Sequence, residues 1–79
     1  MHTCSLSLGS VAQVKLFVDA ASRYPCEIDV LSGRYVVDAK SILGLLSLDL
    51  TKPVSVEFHG DGEQFAAFLA DIAPFRAEA

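Results

Sequence analysis

At 79 residues and 8.5 kDa the chain has room for one small domain and no second. A composition of 52% hydrophobic and 20% charged residues is too apolar for disorder. Ten acidic against six basic residues give a net charge of −4, which repels phosphate backbones and anionic lipid and so sets aside nucleic-acid and membrane-surface partners. Lys15, Asp19, Lys40 and Asp49 interrupt the apolar stretches well before the roughly 18 residues a spanning helix needs. The start of the chain lacks the basic and apolar run of a secretory signal, so a cytoplasmic protein is expected, with Cys4 and Cys26 as thiols.

From Thr3 to Leu8, Cys4, Leu6 and Leu8 alternate with Thr3, Ser5 and Ser7, which predicts a half-buried strand. Gly9 breaks that pattern. From Ser10 onward Val11, Val14, Phe17, Val18 and Ala21 recur at spacings of three and four, an amphipathic helix running to about Arg23. Ser10 and Gln13 form a capping-box pattern at its start. After Pro25, the segment from Cys26 to Val30 alternates again, and Ser32-Gly33 turns the chain into a second strand from Arg34 to Asp38. Lys40 to Leu48 reads as a short helix that is apolar on nearly every side, with Ile42, Leu43, Leu45, Leu46 and Leu48. A polar connection, Asp49 to Pro53, leads into a strand in which Val54, Val56 and Phe58 alternate with Ser55, Glu57 and His59. Asp61 and Gln64 repeat the capping pattern before a helix with a stripe of Phe65, Phe68, Leu69 and Ile72, which Pro74 closes. Phe75 to Ala79 reads as a loose tail.

Four strands and three helices in the order βαββαβα follow. The strand positions facing away from the apolar side are Thr3, Ser5 and Ser7, then Glu27 and Asp29, then Arg34, Val36 and Asp38, then Ser55, Glu57 and His59. Only Val36 among these is apolar, so one sheet face is expected to meet water while the helices cover the other, a two-layer α+β sandwich. The acids Glu27, Asp29, Asp38 and Glu57 read as a solvated surface.

This element order, with the run Asp38-Ala39-Lys40-Ser41-Ile42-Leu43-Gly44-Leu45-Leu46-Ser47-Leu48, resembles HPr, the histidine-containing phosphocarrier of the bacterial sugar phosphotransferase system. The likeness extends from Phe17 to Ile72 and implies an antiparallel sheet of spatial order 1-4-2-3. Family members carry Gly-Leu-His-x-Arg-Pro-Ala at the start of the first helix, and that histidine takes a phosphoryl group from phosphoenolpyruvate by way of Enzyme I. Counting back from Phe17-Val18, Ser10 stands in the histidine's place, Ala12 in the arginine's and Gln13 in the proline's. A serine hydroxyl without a neighbouring base is a much weaker nucleophile than an imidazole.

What the resemblance implies is therefore selective. Ser41 matches the serine that an HPr kinase/phosphorylase modifies, where a phosphate would meet the helix start and Lys40. Ile42, Leu43 and Leu46 correspond to a partner-binding surface for Enzyme I, the kinase and transcription regulators, with Leu45 and Leu48 expected in the core. The variant is similar to the catabolite-repression HPr-like proteins, which keep the serine and lack the histidine. The expected role is a non-catalytic regulatory and docking module of sugar transport, the alternative being a degenerate paralogue that binds proteins elsewhere; a carrier working through Ser10 is the third reading. Either a monomer or a weak dimer is compatible with open sheet edges.

Ser10 and Gln13 could also hold an anion at the first helix start, or serve only as a cap. His2, His59, Cys4 and Cys26 are ligand types for zinc, but strand parity and the intervening strand separate them, so no metal is expected. No glycine-rich phosphate loop, nucleophile elbow or split carboxylate pair is present in the sequence, and neither enzymatic chemistry nor a cofactor is expected.

Overall fold

The structure, a computed structural model, describes residues 1–77. Strands β1 (His2–Leu6), β2 (Ile28–Ser32), β3 (Tyr35–Asp38) and β4 (Val54–Phe58) form one antiparallel sheet of order β1-β4-β2-β3. Helices α1 (Val11–Ala21), α2 (Ile42–Leu46) and α3 (Gly62–Asp71) lie over it, followed by a 3₁₀ turn at Ala73–Phe75. Fold class and strand order are those expected from the sequence.

Alternation decides which face the helices cover. Leu6, Ile28, Val30, Val54, Val56 and Phe58 are buried, and they meet Val14 and Phe17 from α1, Leu45 from α2, and Phe68 and Ile72 at the end of the chain. Burying each of these side chains contributes about 1.5–3 kcal/mol. The rings of Phe58 and Phe68 lie 5.0 Å apart, and Tyr24 packs edge-on against both. The Tyr24 hydroxyl donates to the Asp71 carboxylate at 2.7 Å, which ties the end of α1 to the end of α3.

Several boundaries differ from the sequence reading. The first strand ends at Leu6, where its ladder with β4 stops at the Leu6–Val54 pair, although Leu8 is still buried and the Ser7 N–H still donates outward to the Phe75 carbonyl. The third strand starts at Tyr35 because Gly33 and Arg34 together make the hairpin loop. Gly33 has φ of 60° and no other described residue has a positive φ, so the loop is of the type that needs glycine at its first position only. Val11, expected in the buried stripe of the first helix, is exposed at the helix start. Leu50, in the connection read as polar, is partly buried against the core.

The largest correction concerns the chain end. Phe75 is buried, Arg76 bridges to Leu6, and the Ala77 N–H donates to the Ser5 carbonyl at 3.0 Å. The segment from Phe75 to Ala77 is thus not a loose tail; it closes the outer edge of β1, because an apolar ring and unpaired strand amides were both available to it. Glu78 and Ala79 lie outside the described residues.

Two outcomes are expected. Phe75→Ala should lower unfolding stability by about 3 kcal/mol in a urea titration, the usual cost of emptying a buried phenylalanine site. Burial first, then the hydrogen bond to Asp71, pushes the Tyr24 phenol from its ordinary 10 up to about 12. Its contribution to stability is present below pH 10 and is lost as pH rises toward about 12, since the unfolded chain releases that proton earlier. Alkaline melts of Tyr24→Phe should lose this component of the pH dependence.

Candidate functional site

The surface around the start of α1 is assembled by two helices and the connection into β4. Ser10 caps α1, its Oγ accepting from the Gln13 N–H at 3.2 Å, while Gln13 Oε1 accepts from the Gly9 N–H at 2.6 Å. The reciprocal cap expected from Ser-x-x-Gln is therefore formed, displaced by one residue on its return leg. Ser10 lies in a groove of about 430 Å³ with Leu8, Val11 and Val14, and Leu46, Leu50 and Thr51 form its other side. The tertiary structure thus joins Ser10 to the second-helix surface, residues 36 positions apart in the chain.

Leu43 is 79% exposed and Leu46 43%, whereas Leu45 is fully buried, as expected of each. Ile42 is half-buried and packs against the core, and so does Leu48. The helix is shorter than its sequence signature: Lys40 and Ser41 stay in the preceding turn, and the helical residues are Ile42–Leu46. Ser41 caps it, accepting from the Gly44 N–H at 3.2 Å. A side-chain carbon at Gly44 would come within 3.2 Å of Val37 Cβ and 3.3 Å of Ser41 Oγ, so glycine lets this turn sit directly on β3.

Lys40 is placed differently from the expectation that it would stand ready for a phosphate on Ser41. Its Nζ donates to the carbonyls of Tyr24 at 2.6 Å and Cys26 at 3.0 Å, tying down the chain entering β2. Two backbone carbonyls held at hydrogen-bond distance are a strong competitor for an ammonium.

Neither histidine borders the Ser10 groove. His2 stacks on Phe65 with centroids 4.8 Å apart, and His59 lies on the open sheet face. There the register sets Glu57 beside Asp29 and Asp29 beside Asp38. His59 Nε2 is 3.1 Å from Asp29 Oδ2 and 4.0 Å from Glu57 Oε1. Strand parity already puts these acids, read as a solvated surface, on one face, but only the sheet order makes them neighbours. Cys4 and Cys26 form no disulfide.

Comparisons with known proteins now bear on this surface. The family model described as the PTS HPr component phosphorylation site matches residues 10–78. By structure, the chain is similar to HPr-C-His from Thermoanaerobacter tengcongensis, with 27% identity, a TM-score of 0.75 and 92% of each chain covered. A phosphocarrier protein HPr from Bacillus anthracis is similar in fold at 22% identity and a TM-score of 0.66, over 89% of this chain and 94% of that one. So is the Bacillus subtilis catabolite repression containing protein Crh, at 23% identity and a TM-score of 0.66, over 92% and 88%. A comparison with curated protein sequences finds no match. The chain belongs to the HPr family.

If the exposed leucines form a contact surface, Leu43→Glu and Leu46→Glu should each change stability by less than about 1 kcal/mol. Leu45→Glu should unfold the domain, because a carboxylate would be buried without a partner. Circular-dichroism melts of the three variants separate these outcomes.

Proposed function

We propose that this HPr-family protein is a non-catalytic regulatory and docking module of the bacterial sugar phosphotransferase system, acting in the cytoplasm and phosphorylated on Ser41 by an HPr kinase. The observation that carries the reading is the composition of one surface: Ser10 at the start of α1 and exposed Leu43 and Leu46 on α2, with both histidines elsewhere. A phosphohistidine carrier needs an imidazole at that helix start, and among the described residues no basic or acidic side chain lines the groove at Ser10 to raise its nucleophilicity. The exposed leucines supply the apolar contact a protein partner would cover, with Ile42 at their edge.

In the modification step the Ser41 Oγ forms a bond to the γ-phosphorus of ATP and the bond from that phosphorus to the β–γ bridging oxygen breaks. ADP leaves and the hydroxyl proton passes to a base on the kinase. The added charge of nearly −2 would then sit beside the leucine surface and change which partners it accepts. A second reading, an HPr-fold protein that binds partners outside sugar transport without being phosphorylated, draws its support from Lys40. With its ammonium held by two carbonyls, Lys40 is not free to compensate a phosphate on Ser41.

Intact-mass spectrometry after incubation with ATP and an HPr kinase tests the proposal. One added phosphate that disappears in Ser41→Ala is the expected result, with none acquired from phosphoenolpyruvate and Enzyme I. No phosphate from ATP would overturn the regulatory reading in favour of the second, and a phosphate from phosphoenolpyruvate that requires Ser10 would restore a carrier. Ser10→Ala itself should cost about 1 kcal/mol as a lost cap.

A further inference from the structure

The two edges of the sheet are treated differently. The outer side of β1 is closed by the Phe75–Ala77 segment, whereas no segment among the described residues pairs with the outer side of β3. The direction of the β3 backbone groups follows from one bond. The Ala39 N–H donates to the Ile28 carbonyl opposite it at 2.9 Å. Antiparallel alternation then turns the amides of Val37 and Tyr35 toward β2 and those of Val36 and Asp38 outward, to the free edge.

We propose that β3 pairs antiparallel with the β3 of a second copy of this chain, about a two-fold axis through Val36, to make one continuous eight-stranded sheet. The proposal does not depend on the phosphotransferase reading. Centring the pair on Val36 is the arrangement in which outward amides meet outward carbonyls. In that register Val36 faces the second copy's Val36, Tyr35 faces its Val37, and Arg34 faces its Asp38.

Charge complementarity favours a copy of the same chain over another occupant. Asp38 lies directly across from Asp29 on its own sheet, an unfavourable like-charge pair. Asp29 has His59 beside it, while among the described residues the Asp38 side chain accepts only the Lys40 backbone N–H, at 2.8 Å. Arg34 has no carboxylate partner among the described residues. A two-fold axis gives each Asp38 an arginine and each Arg34 a carboxylate, twice over.

The apolar surface has the same symmetry. Leu31 and Val36 are neighbours on the otherwise polar open face, Val36 being 59% exposed. Pairing extends them into an unbroken row of four apolar side chains across the axis. On the helix side Tyr35 is 67% exposed, beside a groove of about 830 Å³ bordered by Val37, Ser47, Leu48 and Lys52. The register sets the second copy's Tyr35 over Val37 at this groove, and the exchange is reciprocal. A four-residue strand makes a small interface, and the net charge of −4 on each copy opposes it. The dimer should be weak, with Kd between about 10 µM and 1 mM.

Sedimentation equilibrium of the full chain from micromolar to millimolar concentration tests this. Val36→Lys, Arg34→Asp and Asp38→Arg should each raise Kd by more than about tenfold. Mixing Arg34→Asp with Asp38→Arg should restore association, because both charge pairs in the mixed dimer are then complementary. Thermal melts identify any variant that fails to fold. Should Asp38→Arg fail through loss of its turn bond, Val36→Lys and concentration-dependent protection of the Val36 amide in hydrogen exchange carry the test. A chain that stays monomeric at 1 mM, a dimer indifferent to Val36→Lys, or protection confined to another surface would each overturn the proposal.

Discussion

β4 is the strand that both halves of the sheet require. It is hydrogen-bonded to β1 on one side and β2 on the other, and its three inward residues, Val54, Val56 and Phe58, are all buried. Phe58 stands at the meeting point of the aromatic cluster, against Tyr24, Phe65 and Phe68. Because β4 reaches the sheet last yet lies between strands formed earlier in the chain, β1 has no partner until Val54–Phe58 is in place. The long-range closure that costs most in chain entropy is thus the one that completes the core.

One-sided burial has consequences at both ends of the helical layer. With all helices on the inner face, the start of α1 and the short α2 come together over Leu8 and Leu46, and this juxtaposition makes the Ser10 groove. The tight seat of α2 on β3, which Gly44 permits, turns Leu45 fully inward with Ile42 at the margin of the core, and leaves Leu43 and Leu46 facing out. The open face carries the remaining polar residues, and the sheet order concentrates them: Glu57, Asp29 and Asp38 become consecutive neighbours in one row, with His59 above the first two.

Much of this was legible in particular residues. The inward sets Cys4-Leu6 and Val54-Val56-Phe58 follow from period-two alternation, and the caps at Ser10, Ser41 and Asp61 each form with the amide three residues on. The run from Asp38 to Leu48, with the element order, carries the family resemblance. Phe75 reads as part of a tail because Pro74 closes the preceding helix pattern, while its burial depends on an unpaired β1 edge that no local pattern reveals. The placement of Lys40 is hidden from the sequence for a similar reason. Its sequence neighbour is Ser41, but its ammonium reaches the carbonyls of Tyr24 and Cys26, which the β2–β3 hairpin brings alongside.

Local sequence determined the element types, their caps and which side of each strand is apolar, because these depend on side-chain periodicity and on amides within one helical turn. The tertiary structure alone decided which elements became neighbours: Ser10 beside Leu46, His59 beside Asp29, Phe75 beneath the β1 edge, and β3 left open at the other edge. Those pairings depend on strand order and register, which are set by how the whole apolar set closes into one core and not by any segment's own preference.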